Sequence, residues 1–338
     1  MRKNETAYSV LDLVVIAKGN SLKQTFDDAL TNAKLADDLG YKRYWFAEHH
    51  NSVAIGSSAT SILIGKVAEC TKQIRVGSGG VMLPNHSPLI VAEQFGTLGT
   101  LFENRIDLGL GRAPGTDQDT ARAIRSDFYQ AAMSFPAEIQ KIQNYFSVDN
   151  ATAKVRANVA EGVNVPLYIL GSSTDSAHLA SEKGLPYAFA SHFATAQLMQ
   201  AFTIYRNKFK PSSTLSKPYV IAGMSVIIAD TDEEAEFLST SYYERAIGIL
   251  TGDRGQMSPP FEVTDQFRAI IEQPAVQQMS KYAFIGSKAT VKKQVKAFIE
   301  LTQADELIAI TNIFSAQKRL KSYKLFAEIM DELNIEKD

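Results

Sequence analysis

Residues 76 to 115 read VGSGGVMLPNHSPLIVAEQFGTLGTLFENRIDLGLGRAPG. A β-branched run interrupted by glycines leads through a proline-bracketed turn at Pro84 and Pro88 into a segment with apolar residues at three- and four-residue spacings. A second short apolar run follows and ends in Arg112. Strand, helix and strand within about forty residues make one βαβ unit, and the right-handed crossover rule makes its two strands parallel.

The same rhythm continues on both sides. Strand-like runs stand at 8 to 16, 43 to 50, 73 to 83 and 105 to 112, with helical patterns at 21 to 39, 57 to 71 and 88 to 102 between them. Further runs at 165 to 171, 186 to 191, 219 to 229 and 305 to 311 bring the strands to eight. Eight alternating units predict a closed (β/α)8 TIM barrel rather than an open doubly wound sheet. Two stretches break the spacing: a helical excursion at 117 to 150 before strand 5, and residues 250 to 286 before helix 8. Long insertions in a barrel serve as lids or binding segments at the carboxyl rim, or as surface decoration. Residues 1 to 338 read as a single domain, because no linker or repeat divides them.

Composition narrows the function. Lysine plus arginine (35) nearly balance aspartate plus glutamate (37), so no general field draws the chain to nucleic acid or an anionic membrane. No stretch approaches the length of a membrane span, and no signal-peptide core precedes the first strand. The single cysteine, Cys70, permits no intrachain disulfide and suits a reducing cytoplasm. A small molecule, or a second copy of the chain, is the expected partner.

Four stretches carry candidate chemistry. In RYWFAEHH (43 to 50), strand alternation sends Trp45, Ala47 and His49 to one side and Phe46, Glu48 and His50 to the other. The two histidines then cannot share one regular strand face, and no H-E-x-x-H is present, so no metal site is expected. His49 at a strand end is either an acid/base or ligand-facing group, or a structural imidazole bonded to backbone. The glycines of VGSGG admit a flat ligand against Gly79 and Gly80, or a β-bulge. GLGRAPG (109 to 115) misses the dinucleotide fingerprint, leaving Arg112 to grip a phosphate or to sit on the surface. LGSSTDSAHLA (170 to 180) places Gly171, Ser172, Ser173, Thr174 and Ser176 at a helix start. There they could cradle a phosphate, or simply cap the helix.

Taken together, RYWFAEHHN, the 76 to 115 block and LYILGSSTDSAHLASEKGLPYAFASHF (167 to 193) resemble the bacterial-luciferase-like flavin monooxygenases, in their non-luminescent subgroup. The resemblance runs from residue 8 to the C-terminus. It implies a barrel that takes reduced FMN from a separate NAD(P)H-dependent flavin reductase and activates O2 as a flavin C4a-hydroperoxide to oxygenate a small organic substrate. Carried over residue by residue, His49 matches the histidine acting near the flavin, and Gly79 and Gly80 the pair joined by a non-prolyl cis peptide behind its ring. Arg112 matches the phosphate arginine, and Ser172 and Ser173 a phosphate-contacting segment; Gly171 and Ser176 adjoin it, Ser176 as a weaker match. Trp45, Phe46, His192 and Phe193 are candidates to line the substrate pocket. Gly111 stands where the luciferases proper have cysteine, and the 250 to 286 loop is unlike their mobile loop, which argues against light emission. Small residues Ala59, Gly65, Ala92, Gly96 and Gly99, with Ile62, suggest a homodimer through the second and third helices, as the resemblance also implies. Competing readings are an oxidoreductase using the deazaflavin F420, a non-catalytic FMN-binding protein and, last, a metal-dependent hydrolase.

Overall fold

The computed structural model describes residues 5–336. Strands β1 (Ala7–Asp12), β2 (Arg43–Phe46), β3 (Arg75–Met82), β4 (Ile106–Gly111), β5 (Leu167–Gly171), β6 (Tyr187–Phe189) and β7 (Val220–Ala229) pair in chain order, all parallel. β9 (Glu306–Ile310) lies between β7 and β1 and closes the ring. The eight runs singled out in the sequence are the eight barrel strands. β8 (Ala283–Ser287) was not foreseen; it pairs with the upper half of β7, outside the ring, where the 250 to 286 insertion ends. It stands between the short helix Pro274–Met279 and helix Lys288–Thr302, in the stretch where the regular strand and helix spacing of the other units is broken.

Side-chain alternation sorts every strand into an outer and an inner set. Outward residues such as Val10, Tyr44, Phe46, Val76 and Leu108 join the main core under the helices. Inward residues Leu11, Trp45, Ala47, Tyr168, Ala188, Ile221, Ile308 and Ile310 fill the barrel itself. Below this apolar layer sits a polar plug. Arg43 donates to Glu306 Oε1 (2.7 Å) and Oε2 (3.0 Å), to Asp107 Oδ2 (2.7 Å) and to the Tyr168 hydroxyl (2.8 Å). Trp45 Nε1 and Arg75 Nε complete Asp107, while Tyr219 and Ser9 complete Glu306. The charged members Arg43, Arg75, Asp107 and Glu306 are on inward positions at the amino ends of their strands.

β7 is long enough to rise above the barrel, and its upper half is covered on both faces. Val226 and Ile228 face the outer core with Val291 and Val295 of helix Lys288–Thr302. Ile227 and Ala229 have the inward parity of Ile221, and they pack against Ala235, Leu238 and Tyr242 of helix Asp232–Thr251. That helix therefore lies beside the barrel mouth rather than on the outer wall. Its start is set by Thr231, whose side chain accepts from Glu234 N, with Asp232, Glu233 and Glu234 favouring the positive helix end. It stops at Gly252, whose φ of 88° is left-handed.

The excursion before β5 forms helices Gln118–Ile124, Phe128–Met133 and Phe135–Phe146. The structure corrects one use of the small residues. A Cβ on Gly96 would come within 2.6 Å of Ala160, and one on Gly99 within 2.7 Å of Val163 and Val165. Ala92 is buried with Ala157 and Ala160, and a Cβ on Gly65 would press on Leu98. These positions are small for packing within the chain; Ala59 and Ile62 are exposed.

Candidate active site

The carboxyl ends of β2 and β3 are joined by one carboxylate. β2 stops at Phe46, short of the expected residue 50, because the chain exchanges sheet pairing for loop contacts: His49 N donates to Ser57 O and His50 N to Gly115 O. Glu48 is buried there. Its Oε1 takes hydrogen bonds from His50 Nε2 (2.7 Å) and His86 Nε2 (2.8 Å), and its Oε2 takes one from Met82 N (3.1 Å). Burial by itself would push this carboxyl up, but the donors from His50, His86 and Met82 outweigh it and hold it at about 2. Among the described residues Glu48, His50 and His86 also form a set whose potential ligand atoms lie within 4.8 Å of one another. In this geometry the imidazoles satisfy the carboxylate, so the group acts as a clamp between the loops after β2 and β3. The adjacent-histidine motif is thereby divided: His50 belongs to the clamp.

His49 has the inward parity of Trp45 and Ala47. Its Nδ1 is buried and has no hydrogen-bond partner, as is Nδ1 of His192 beyond β6. Burial lowers the His49 imidazole to about 4; Glu48 opposes the shift, and His50, Arg245 and Arg254 add to it. His192 falls to about 3, through burial and then the nearby His49. Both rings are therefore neutral at pH 7. His192 stacks edge-on against Phe193 at 4.8 Å, and Phe193 is half exposed. Trp45 is fully buried and donates its indole N–H to Asp107, so it is floor beneath the rim rather than open lining.

Gly79 and Gly80 are joined by a cis peptide bond. The register of β3 against β4 shifts between Ser78 and Val81, which is the bulge reading of these glycines. Protein fills their side-chain directions: a Cβ on Gly79 would meet Leu11 at 2.6 Å, and one on Gly80 the Gly109 carbonyl at 2.6 Å. Packing alone therefore demands glycine here.

Arg112 and the serine turn come together on adjacent strands. β4 pairs with β5, and Arg112 Nη2 lies 3.2 Å from Asp175 Oδ2 in the first turn of helix Thr174–Lys183. Both groups are exposed, so this contact is weak and exchangeable. Ser172 and Ser173 have hydroxyls without hydrogen bonds among the described residues, and Ser173 is the N-cap residue without a capping bond. Ser176 differs from expectation. Its Oγ contacts Ser173 O (2.7 Å) and Tyr187 OH (2.9 Å) and lies over Gly171, where any Cβ would fall 1.8 Å away. Ser176 and Gly171 thus shape the turn, and the donors left for a ligand are Ser172, Ser173 and Arg112 once it releases Asp175. Sequence reasoning missed Arg245, Arg254 and the role of Glu48, none of which stands in a motif.

The closed parallel barrel thus carries His49, Arg112 and the serine turn on its carboxyl rim. The luciferase-like monooxygenase family model matches residues 6–305, and the chain belongs to that family. It is 45% identical over 333 residues to a luciferase-like monooxygenase of Escherichia coli (strain K12), covering 98% of this chain and 99% of that one. It is 28% identical over 334 residues to the N-acetyl-S-alkylcysteine monooxygenase of Bacillus subtilis (strain 168), covering 95% and 97%. Apo-MsnO8 superposes with a TM-score of 0.88 at 31% identity, over 97% of this chain and 99% of that one. The oxygenating constituent of Pseudomonas putida 3,6-diketocamphane monooxygenase, in complex with FMN, gives 0.71 at 18% identity, covering 97% and 98%. An F420-dependent secondary alcohol dehydrogenase gives 0.71 at 14%, covering 96% and 98%. At those last two identities the likeness is one of fold, and the fold alone accommodates either cofactor. No helix among the described residues is long and apolar enough to cross a membrane.

Proposed function

We propose that this chain is the oxygenating component of a two-component system, taking reduced FMN from a separate NAD(P)H-dependent reductase and using O2 to oxygenate a small organic substrate in the cytoplasm. The observation that carries this reading is the adjacency of Arg112 to the Ser172–Ser173 turn, with the unpartnered Nδ1 of His49 on the same rim. Arg112 would exchange Asp175 for the flavin phosphate, and the Ser172 and Ser173 hydroxyls would donate to it. When bound, reduced FMN would supply the two electrons that divide O2 between oxygenated product and water. The apolar barrel floor of Leu11, Trp45 and Tyr168 excludes water below. His49, neutral and short of a partner, would accept a hydrogen bond or a proton from the reacting group.

Binding of oxidised FMN by fluorescence quenching tests the site. Arg112→Ala should weaken it by about 1.5 to 3 kcal/mol, the scale of a charge-assisted hydrogen bond. Unchanged affinity removes the phosphate assignment. His49→Ala should keep flavin affinity and lose product in a coupled assay with reductase; N-acetyl-S-alkylcysteines, named for the Bacillus relative, are the first substrates to try. Oxygen uptake matching substrate consumption separates this reading from F420-linked hydride transfer. A homodimer remains our expectation, now through the exposed Val53, Ile62 and Ile90 rather than the glycines.

A further inference from the structure

Every other arginine among the described residues has a hydrogen bond or ion pair with the protein; Arg245 and Arg254 have none. Arg245 is the unusual one, because it is half-buried where Arg254 is exposed. It continues the stripe Ala235, Leu238, Tyr242 at helical spacing, the stripe that faces the inward side of β7. One turn before it, Ser241 Oγ donates to Ser258 O (2.8 Å); three residues after it, Gly248 lies so close to Asp253 O that a Cβ would fall 2.2 Å away. The segment 252–258 therefore folds back over this turn of helix. Met257 fastens it to the loop after β1 through Ile16 O (3.0 Å) and Lys18 N (2.8 Å). Arg245 lies half-buried on the helix face turned toward the barrel mouth, beside the returning segment, near enough to His49 to disfavour its protonation, and Arg254 adds to the same field.

A half-buried guanidinium with no carboxylate beside it is available to an anionic ligand. Burial alone brings Arg245 down to about 10. The rim offers no free acid: Glu48 is closed by His50 and His86, and His49 and His192 are neutral. Glu244 and Asp253, its neighbours in the chain or in space, are exposed and make no pair with it. Nor is this the phosphate post. Arg112 follows β4 and Arg245 follows β7, with β5 and β6 between them on the ring.

Resting on the flavin reading above, we infer that the substrate carries an anionic group, a carboxylate, and that Arg245 holds it with help from Arg254, so that the barrel mouth has two anion posts serving two different molecules. The post orients the substrate; it takes no part in the bond changes.

Isothermal titration of the full chain, with and without oxidised FMN, compares N-acetyl-S-benzylcysteine with its primary amide. The carboxylate should bind about tenfold or more tighter than the amide, the worth of one charge-assisted bond. Arg245→Gln should abolish that preference, Arg245→Lys should keep part of it, and Arg254→Gln should reduce it a few-fold, with FMN affinity unchanged in all three. A carboxylate that binds no better than its amide, or binds nowhere below about 10 mM, overturns the inference. So does a preference surviving in Arg245→Gln, or a loss of FMN affinity there, which would give the arginine to the flavin. Arg245→Lys covers the case in which the glutamine variant fails to fold. If FMN does not bind but the carboxylate preference stands, the cofactor reading fails and the post remains; FMN binding without the preference gives the reverse.

Discussion

The two ends of the barrel treat buried polar groups in opposite ways. At the amino end Arg43, Glu306 and Asp107 share a dense set of hydrogen bonds in which every charge is answered. At the carboxyl end His49 Nδ1 and His192 Nδ1 are withdrawn from water, Arg245 is half-buried, and none of the three has a partner among the described residues. An arginine in the first place is scaffold, and in the second it points to a ligand. In barrel enzymes the amino face is where stability resides and the carboxyl face where chemistry does, and partnering is how that division shows here.

Four measurements can break or sharpen the contrast. The largest effect should come from Arg43→Met or Glu306→Gln, which strand a buried charge or its donors; denaturant unfolding should register a loss of about 3 to 5 kcal/mol. A loss below 1 kcal/mol would mean the plug is dispensable.

Glu48 comes next. Its carboxyl is held at about 2 in the fold against an ordinary value of 4.5, so the unfolded chain binds the proton first. The stability it contributes is present above pH 4.5 and drains away as pH falls toward 2, about 3 kcal/mol at most. Glu48→Gln should flatten the stability profile over that window; an unchanged profile would deny the clamp.

His192→Leu should act in the reverse direction from the plug variants. The folded imidazole, at about 3, resists the proton that the unfolded one takes near 6.5, so the wild type loses stability as pH falls through that interval. Removing the ring and its orphan nitrogen should raise stability at pH 5 by about 1 to 3 kcal/mol while impairing turnover. A variant less stable at pH 5 would show the ring to be structural. Arg112→Ala should change stability least, by about 0 to 1 kcal/mol, because its contact with Asp175 is exposed.

Much of this was legible in the chain. All eight ring strands stand where alternation and spacing put them, since a strand buried on both faces writes an apolar run that turn residues bound. His49, Arg112 and the serine turn were visible as strand-end residues. Other features were not. Glu48 could be read as a neighbour of two histidines, but its partner His86 is 38 residues away and only the fold brings them together. Gly96 and Gly99 looked like an open face because sequence shows smallness and not what fills it. Arg245 sits in an ordinary helical pattern, and the absence of a partner is a property of three-dimensional surroundings.

The carboxylate that gathers the loops after β2, β3 and β4 has a bearing on how such enzymes diversify. Its oxygens join the first two of those loops, and His50 N and Asn85 Nδ2 tie the third to them through Gly115 O and Pro114 O, so none of the three can drift separately. The excursion at 250 to 286 shares none of those bonds, so this half of the mouth is free to be rewritten for a new compound while the half that would receive the cofactor is inherited intact.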